Sequence, residues 1–263
     1  MLKPSLEEVK ALAKQYNTIP VFYEFSADNQ TPLNIYTAFS GMSRNSFIFE
    51  SVSNGVQWDR YSFIGFAPKQ EIRISGKQAE IRTEKGTQTL AVEQPIAFLK
   101  EHMAAFHAPV IPGAPNFTGG LIGYFGYDTV RYMEKKLTNI PEDDIHMPDC
   151  HLFLYEELIA YDHLTSNGIV ILNLHTDGDL GAQYAAAQWR AEELADTIRH
   201  YNPQPQEQHH QGESVVRSNL TKEQYSQMVQ DAKEYIRNGD IFQIVLSQRF
   251  EISNPPDSFS VYR

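Results

Sequence analysis

The sequence predicts a protein that mixes α-helices with antiparallel β-strands. Helical segments begin at capping residues, as where Ser5 is followed three residues later by Glu8. Strand-like runs rich in β-branched and aromatic residues are separated by short breaks of Gly, Asn and Pro. The pair Asn167-Gly168 between two apolar runs indicates a β-hairpin. With 41% hydrophobic residues, the 263-residue chain can bury the core of one large or two small domains.

The N-terminal segment predicts a helix, a strand and a second helix, in that order. The first helix begins after Ser5 and has apolar residues at helical spacing on one face. Residues 19–25 are apolar and aromatic, which is typical of a strand. The second helix begins at Thr31, with Pro32 in its first turn, and runs through about Phe39.

Strands dominate the next part of the chain, and the turns between them indicate an antiparallel meander. The predicted strands cover 46–52, 61–66, 71–75 and 79–82. A helix over 93–107 and a proline-rich connection over 109–115 follow.

A second group of strands begins with residues 117–127, an apolar and aromatic run that contains four glycines. This composition predicts a central strand over which another segment packs closely, or which bulges. A helical turn over 128–134, long strands over 151–162 and 168–175, and a long helix over 180–200 complete this part.

The polar, proline-rich stretch after the long helix predicts a linker. We place a domain over residues 1–200, the linker at 201–217 and the beginning of a further, incomplete domain at 218–263. Within the last segment, Thr221 caps a predicted helix and residues 240–250 read as a strand. One helix and one strand have apolar faces that need a sheet to cover them. The alternative is that they pack back on the preceding domain.

Charge and cysteine content limit the possible partners and the compartment. The formal net charge is −11, which argues against nucleic acid or an anionic membrane surface as the main partner. One cysteine, Cys150, cannot form a disulfide within the chain, which fits a reducing compartment. The first 15 residues carry charges rather than an apolar core, and no run approaches 18 apolar residues. A cytoplasmic protein is expected.

Strong catalytic motifs are not found in this sequence. It has no Walker-type phosphate loop, no G-x-S-x-G elbow and no H-E-x-x-H pair. The glycines at 120, 123 and 126 lack the order of a dinucleotide fingerprint, so a packing role is favoured. The histidines lack metal-ligand spacing. Cys150 has no nearby activating base, so a buried, inert thiol is expected.

One charged residue stands out, because Glu50 lies within a predicted apolar strand. A buried carboxylate needs a cation as partner, and two sources are possible. The first is Arg60 on the approach to the next strand, in an internal ion pair. The second is the ammonium group of a ligand. In a regular strand Glu50 and Ser51 point to opposite faces, so both can touch one ligand only if the strand bends there.

These residues and others along the chain resemble the anthranilate synthase component I family of chorismate-utilising enzymes. The matching pieces run in order over nearly the whole chain: 4–8, 19–21, 49–52, 58–65, 119–124, 127–132 and 239–250. The resemblance implies an α+β fold in which antiparallel sheets pack orthogonally with helices outside.

The resemblance also implies a reaction in which chorismate and ammonia give anthranilate and pyruvate. Mg²⁺ would bind between the substrate carboxylate and enzyme carboxylates, and a glutamine amidotransferase subunit, component II, would supply ammonia. The family's metal-binding and catalytic residues lie after the stretch that matches 239–250. We therefore expect the chain to be a truncated, N-terminal part with no catalytic or metal-binding residues of its own.

The family places part of its feedback site for tryptophan in this half. By residue matching, Ser51 corresponds to the tryptophan-binding serine and Glu50 to its neighbouring glutamate, while Arg60 lies near a basic position that can join the site. Two other interpretations stay open. One is aminodeoxychorismate synthase component I, and the other is a free-standing amino-acid-binding module without catalysis.

Overall fold

A computed structural model describes residues 1–51, 60–140, 142–203 and 214–263. Its contacts divide the chain into two compact units, Met1–Pro203 and Gln204–Arg263. Most of the linker predicted at 201–217 lies outside the described residues. Among the described helices, none combines the length and apolar character that a bilayer crossing requires.

The first unit contains four α-helices and ten strands in its described part. In chain order they are α1 (Leu6–Leu12), β1 (Thr18–Ser26), α2 (Pro32–Ser40), β2 (Phe47–Phe49), β3 (Tyr61–Gly65), β4 (Gln70–Ser75), β5 (Gln78–Thr83), β6 (Gly86–Ala91), α3 (Pro95–Ala104), β7 (Gly120–Phe125), a 3₁₀ helix (Tyr127–Tyr132), β8 (Cys150–Tyr155), β9 (Glu157–Asp162), β10 (Asn167–His175) and α4 (Leu180–His200). The α+β class predicted from the sequence is confirmed.

The strands form two antiparallel five-stranded sheets. The first sheet has the order β1-β10-β9-β3-β2 and the second the order β6-β5-β4-β8-β7. The predicted meander is therefore divided, because β2 and β3 lie in the first sheet while β4, β5 and β6 lie in the second. The predicted hairpin between β9 and β10 is confirmed, but Asn167 and Gly168 lie in β10, opposite Asp162 and Tyr161, and residues 163–166 form the turn.

The single strand predicted over 151–162 is wrong. The chain leaves the second sheet at Tyr155 and enters the first at Glu157, so Glu156 alone forms the corner. The Glu156 carbonyl accepts hydrogen bonds from the backbone and side chain of Asn173, at 3.1 and 2.9 Å. Its carboxylate lies 2.9 Å from His175 Nε2. These contacts come from residues far along the chain, so local sequence patterns could not predict the corner.

Three apolar clusters define the layers of the first unit. Helices α1, α2 and α4 cover one face of the first sheet, through residues such as Val9, Phe39 and Leu194. Its other face meets the second sheet, where Leu158 and Ile171 pack near Phe153. Helix α3 covers the far face of the second sheet. The order of layers is thus helices, first sheet, second sheet, α3.

The glycine-rich strand β7 lies at an edge of the second sheet, so the prediction of a central strand is wrong. The predicted close packing is nevertheless present. A Cβ atom at Gly123 would lie 2.0 Å from the carbonyl oxygen of His151 on the neighbouring strand. Only a residue without a side chain permits this approach of the two backbones.

The caps predicted at Ser5, Thr31 and Thr221 are present, whereas the helical turn expected over 128–134 is a 3₁₀ helix over Tyr127–Tyr132 whose N-cap is Gly126. Ser5 and Glu8 form a reciprocal capping box at α1, and the Thr31 side chain accepts from the backbone N–H of Asn34 at α2. Thr221 and Gln224 form the second box, at the helix that begins with Lys222. These interactions involve residues three apart, which is why sequence spacing alone identifies them.

The second unit contains β11 (Val216–Ser218), α5 (Lys222–Arg237), β12 (Phe250–Ile252) and α6 (Ser258–Tyr262). Strands β11 and β12 pair with each other in a two-stranded sheet. The strand predicted over 240–250 is wrong, because only its last residue belongs to a strand. Phe242 and Val245 are 94% and 84% exposed, so this part of the described chain has no sheet to receive them.

Candidate functional site

The predicted ligand residues lie at the end of β2 and the beginning of β3. Strand β2 ends at Phe49, so Glu50 and Ser51 follow it instead of continuing the strand as predicted. Both are half-buried. Arg60 directly precedes β3, and residues 52–59 between the two segments lie outside the described residues. Because the strand ends before Glu50, the regular alternation that would separate Glu50 from Ser51 does not apply.

Two hydrogen bonds attach Ser51 to β3. Its hydroxyl donates to the carbonyl oxygen of Tyr61 at 2.8 Å, and its backbone N–H donates to Ser62 Oγ at 3.1 Å. Since the hydroxyl proton is used in the first bond, the Ser51 oxygen presents its lone pairs to any further partner. Ser51 is therefore suited to accept a hydrogen bond from a ligand N–H group.

Arg60 forms an ion pair with Asp162, at the end of β9. Its Nε and Nη2 atoms donate to the two carboxylate oxygens at 2.9 and 2.6 Å. The structure thus gives Arg60 an acidic partner other than the one predicted from the sequence, which was Glu50. The bidentate geometry is the strong form of this pair, and Nη1 lies outside it.

Asp162 is buried, with its side chain only 3% exposed. Burial alone would raise the pKa of its carboxyl group. Hydrogen bonds from Arg60, from the Leu164 N–H at 3.0 Å and from Thr165 outweigh that cost, so the pKa of Asp162 lies below its ordinary value. The hydrogen bond to Asp162 likewise raises the pKa of Arg60. Both groups are therefore charged at neutral pH.

Ser62 and His163 form a second link between β3 and the end of β9. Ser62 is fully buried, and its Oγ lies 2.7 Å from Nε2 of the exposed His163. The His163 backbone N–H donates to the Arg60 carbonyl at 2.9 Å. Asp162 and His163, at the end of β9, therefore contact Arg60 and Ser62, the residues on either side of Tyr61.

Aromatic residues lie at both ends of β2. Phe47 lies edge-on to Tyr155 with ring centroids 4.8 Å apart, and its ring covers Gly65, where a Cβ would lie 2.1 Å from a ring carbon. Phe49 is 53% exposed beside Glu50. The site thus combines a carboxylate, a hydroxyl acceptor and an exposed ring.

Sequence reasoning missed Ser62 and Asp162 as parts of this site. A signal for Asp162 was present, since it ends an apolar run and a carboxylate in such a place needs a partner, as argued for Glu50. Ser62 gave no signal, because its role depends on which strand lies beside β3. His163 was expected to be structural or solvated.

Other chemistry-bearing residues take part in structural contacts. Cys150 is buried, as predicted, and burial raises the pKa of its thiol to about 11. In the second sheet, Glu71 forms ion pairs with Arg73 and Arg82, and His151 Nε2 lies 2.8 Å from its carboxylate. Within the described residues, no group of three or more His, Cys, Asp or Glu side chains could hold a metal ion.

Residues 53–263 match the family of chorismate binding enzymes. The chain belongs to this family. The match covers most of the first unit and the whole of the second.

The most similar relatives include two bacterial proteins named anthranilate synthase component 1. The one from Acetivibrio thermocellus is 38% identical over all of this chain and 54% of its own length. The one from Pseudomonas aeruginosa is 35% identical over 98% of this chain and 53% of its own length. The chain spans about half the length of these curated relatives.

A solved structure of a protein with the same name as these relatives is also similar to this chain. Anthranilate synthase component I from Streptococcus pneumoniae TIGR4 superposes with a TM-score of 0.61 at 27% identity. The superposition covers 80% of this chain and 46% of that protein. The α+β fold predicted from the resemblance is thus shared with this solved protein.

Proposed function

We propose that this chain is the N-terminal part of an anthranilate synthase component I, which converts chorismate and ammonia to anthranilate and pyruvate. The observation that carries the proposal is the similarity to proteins of that name over the entire chain, at 38% and 35% identity. In this proposal a glutamine amidotransferase subunit supplies the ammonia, and the assembly acts in the cytoplasm.

The chain's own share of the work is to provide a scaffold and an effector site. The relatives are nearly twice as long as the part this chain matches, so the proposal assigns turnover to a polypeptide that includes the remaining length. On this basis we expect no conversion of chorismate by the 263 residues alone.

The effector proposed for this chain is L-tryptophan, bound at Glu50, Ser51 and Arg60. Glu50 supplies the negative charge for the ligand ammonium, and the Ser51 oxygen accepts one of its N–H groups. Nη1 of Arg60, which lies outside the pair with Asp162, is the donor assigned to the ligand carboxylate. The exposed ring of Phe49 offers an apolar surface beside these groups.

Mg²⁺ is the metal that the family resemblance implies, and the described residues do not fit it. They hold no group of three or more side chains of the kinds that could ligate a metal. Mg²⁺ prefers oxygen ligands arranged around an octahedron. The proposed role of this chain therefore includes no step through the metal.

The test uses the full reading frame of the gene, expressed and purified. It is incubated with chorismate, Mg²⁺ and an ammonium salt, and the products are separated by liquid chromatography and quantified by mass spectrometry. Anthranilate and pyruvate in equal amounts, with inhibition by L-tryptophan, are expected. Aminodeoxychorismate as the product would refute the anthranilate assignment and support the related folate-route enzyme.

The same experiment separates catalysis from binding. The 263-residue chain is assayed beside the full protein, and turnover by the short chain would contradict the assigned division of labour. Calorimetry with L-tryptophan then measures the effector site in both. Binding without turnover by the full protein would support a free-standing amino-acid-binding module instead.

A further inference from the structure

The end of β9 holds the segment that carries the proposed tryptophan ligands, although no residue of β9 belongs to that set. Ser51 reaches β3 through its backbone N–H, which donates to Ser62 Oγ at 3.1 Å. Ser62 in turn lies 2.7 Å from His163 Nε2. A continuous chain of hydrogen bonds thus joins His163 to the backbone of Ser51.

Because Ser62 is buried, a change at His163 is passed through Ser62 to Ser51. Ser62 is fully buried, so its hydroxyl cannot exchange its protein partners for water. A serine side chain has three staggered positions, and a bond to His163 favours the one that holds Oγ within reach of the Ser51 N–H. His163 itself is exposed and lies on the turn after β9, where its ring packs edge-on against Tyr161 at 5.1 Å.

We infer that His163 and Ser62 are positioning residues for the amino-acid site, holding Ser51 where its hydroxyl oxygen can accept from the ligand ammonium. This inference rests on the proposed function, because it concerns the same site and the same ligand. It adds two residues that touch no ligand themselves and act through Ser51. A ligand bond is strengthened when its acceptor is already fixed before binding.

His163 is a suitable residue to replace, because it is exposed and its loss leaves no cavity in the core. His163→Leu removes the hydrogen bond to Ser62, whereas His163→Gln places an amide at about the position of Nε2 and restores it. His102→Leu is the matched control. It removes a comparable bond of 2.8 Å between His102 Nε2 on α3 and Gln70 Oε1 on β4.

Two measurements are made on the full-length protein. Calorimetry with L-tryptophan gives the dissociation constant, and amide hydrogen exchange gives the protection of the Ser51 N–H. We expect His163→Leu to weaken binding about three- to tenfold, the effect of one hydrogen bond, and to speed exchange at Ser51. His163→Gln and His102→Leu should stay within about twofold of the parent protein in both measurements.

A third comparison tests whether His163 acts through Ser51. In a Ser51→Ala background the ligand acceptor is already gone, so adding His163→Leu should weaken binding little further. An equal loss in both backgrounds would overturn the inference, as would unchanged exchange at Ser51 in His163→Leu. No tryptophan binding by the parent protein would instead overturn the proposed effector and the ligand role of this chain of bonds with it.

Discussion

The ion pair between Arg60 and Asp162 predicts a large loss of stability on a conservative change, Asp162→Asn. The carboxylate is 3% exposed and accepts two bonds from Arg60 and one from the Leu164 N–H. Asparagine keeps one oxygen for the Leu164 N–H but turns an amide NH₂ towards the guanidinium. It also removes the charge that compensates Arg60.

The size of the effect follows from this geometry. Charge-assisted hydrogen bonds contribute about 1.5–3 kcal/mol, and breaking a fully buried pair costs about 3–5 kcal/mol. Arg60 is 43% exposed, so water replaces part of what it loses. We expect Asp162→Asn to lower the free energy of unfolding by about 2–3 kcal/mol at pH 7.

The assay is urea unfolding followed by circular dichroism, with Glu93→Gln as the matched control. The Glu93 carboxylate lies 2.6 Å from Lys77 Nζ, the same separation as in the buried pair, but these side chains are 78% and 70% exposed. Its loss should change stability by no more than about 0.5 kcal/mol. A similar small change for Asp162→Asn would refute the reasoning.

The pH dependence gives a second check on the same pair. Because the folded-state pKa of Asp162 is lowered, its contribution is complete above the unfolded pKa of about 3.9 and is lost as the pH falls below it. The difference between the parent protein and Asp162→Asn should therefore be constant from pH 7 to about pH 5 and shrink below about pH 4. A difference that does not depend on pH would show that the charge is not its cause.

Three further predictions follow from packing and exposure. Gly123→Ala should lower the free energy of unfolding by about 1–3 kcal/mol, because its Cβ would lie 2.0 Å from a backbone oxygen of the next strand. Gly41→Ala, with no atom within 4 Å of the added group, is the control and should be nearly neutral. Cys150, with a buried thiol whose pKa is raised to about 11, should react with a thiol reagent at pH 8 only after unfolding, and reaction at the rate of a free thiol would contradict this. Phe242→Asp should reduce self-association in sedimentation velocity, because Phe242 and Val245 are 94% and 84% exposed close together in the sequence, whereas Val110→Asp changes a 96% exposed side chain whose neighbour Ile111 packs against the core and should not.

Features encoded by neighbouring residues were predictable from the sequence. The capping boxes at Ser5 and Thr221 and the hairpin between β9 and β10 depend on residues a few positions apart and are present, although the Asn167-Gly168 pair lies in β10 and not at the turn. Features set by distant pairing were not predictable. The corner at Glu156 depends on Asn173 and His175, and the missing strand over 240–250 reflects the lack of a neighbouring sheet in the described second unit.

In the candidate site, too, some residues could be predicted from local sequence and others depend on distant strand pairing. Glu50 and Ser51 could be found by matching a local motif, and Glu50 also by the cost of placing a carboxylate in an apolar run. Asp162 and His163 lie 102 and 101 residues from Arg60 and Ser62, the groups they contact. Such contacts exist only once β9 has paired with β3.

That pairing explains why the proposed ligand residues need the whole first unit and not only their own segment. Tyr61 lies opposite Asp162 in the register of β3 and β9, which brings Arg60 and Ser62 to the end of β9. Strand β9 is held in turn by β10 and continues from β8 through Glu156. A peptide covering residues 46–66 alone would keep Glu50, Ser51 and Arg60, but it would lose Asp162 and His163, which hold Arg60 and Ser62. Such a peptide should therefore bind L-tryptophan far more weakly than the folded protein.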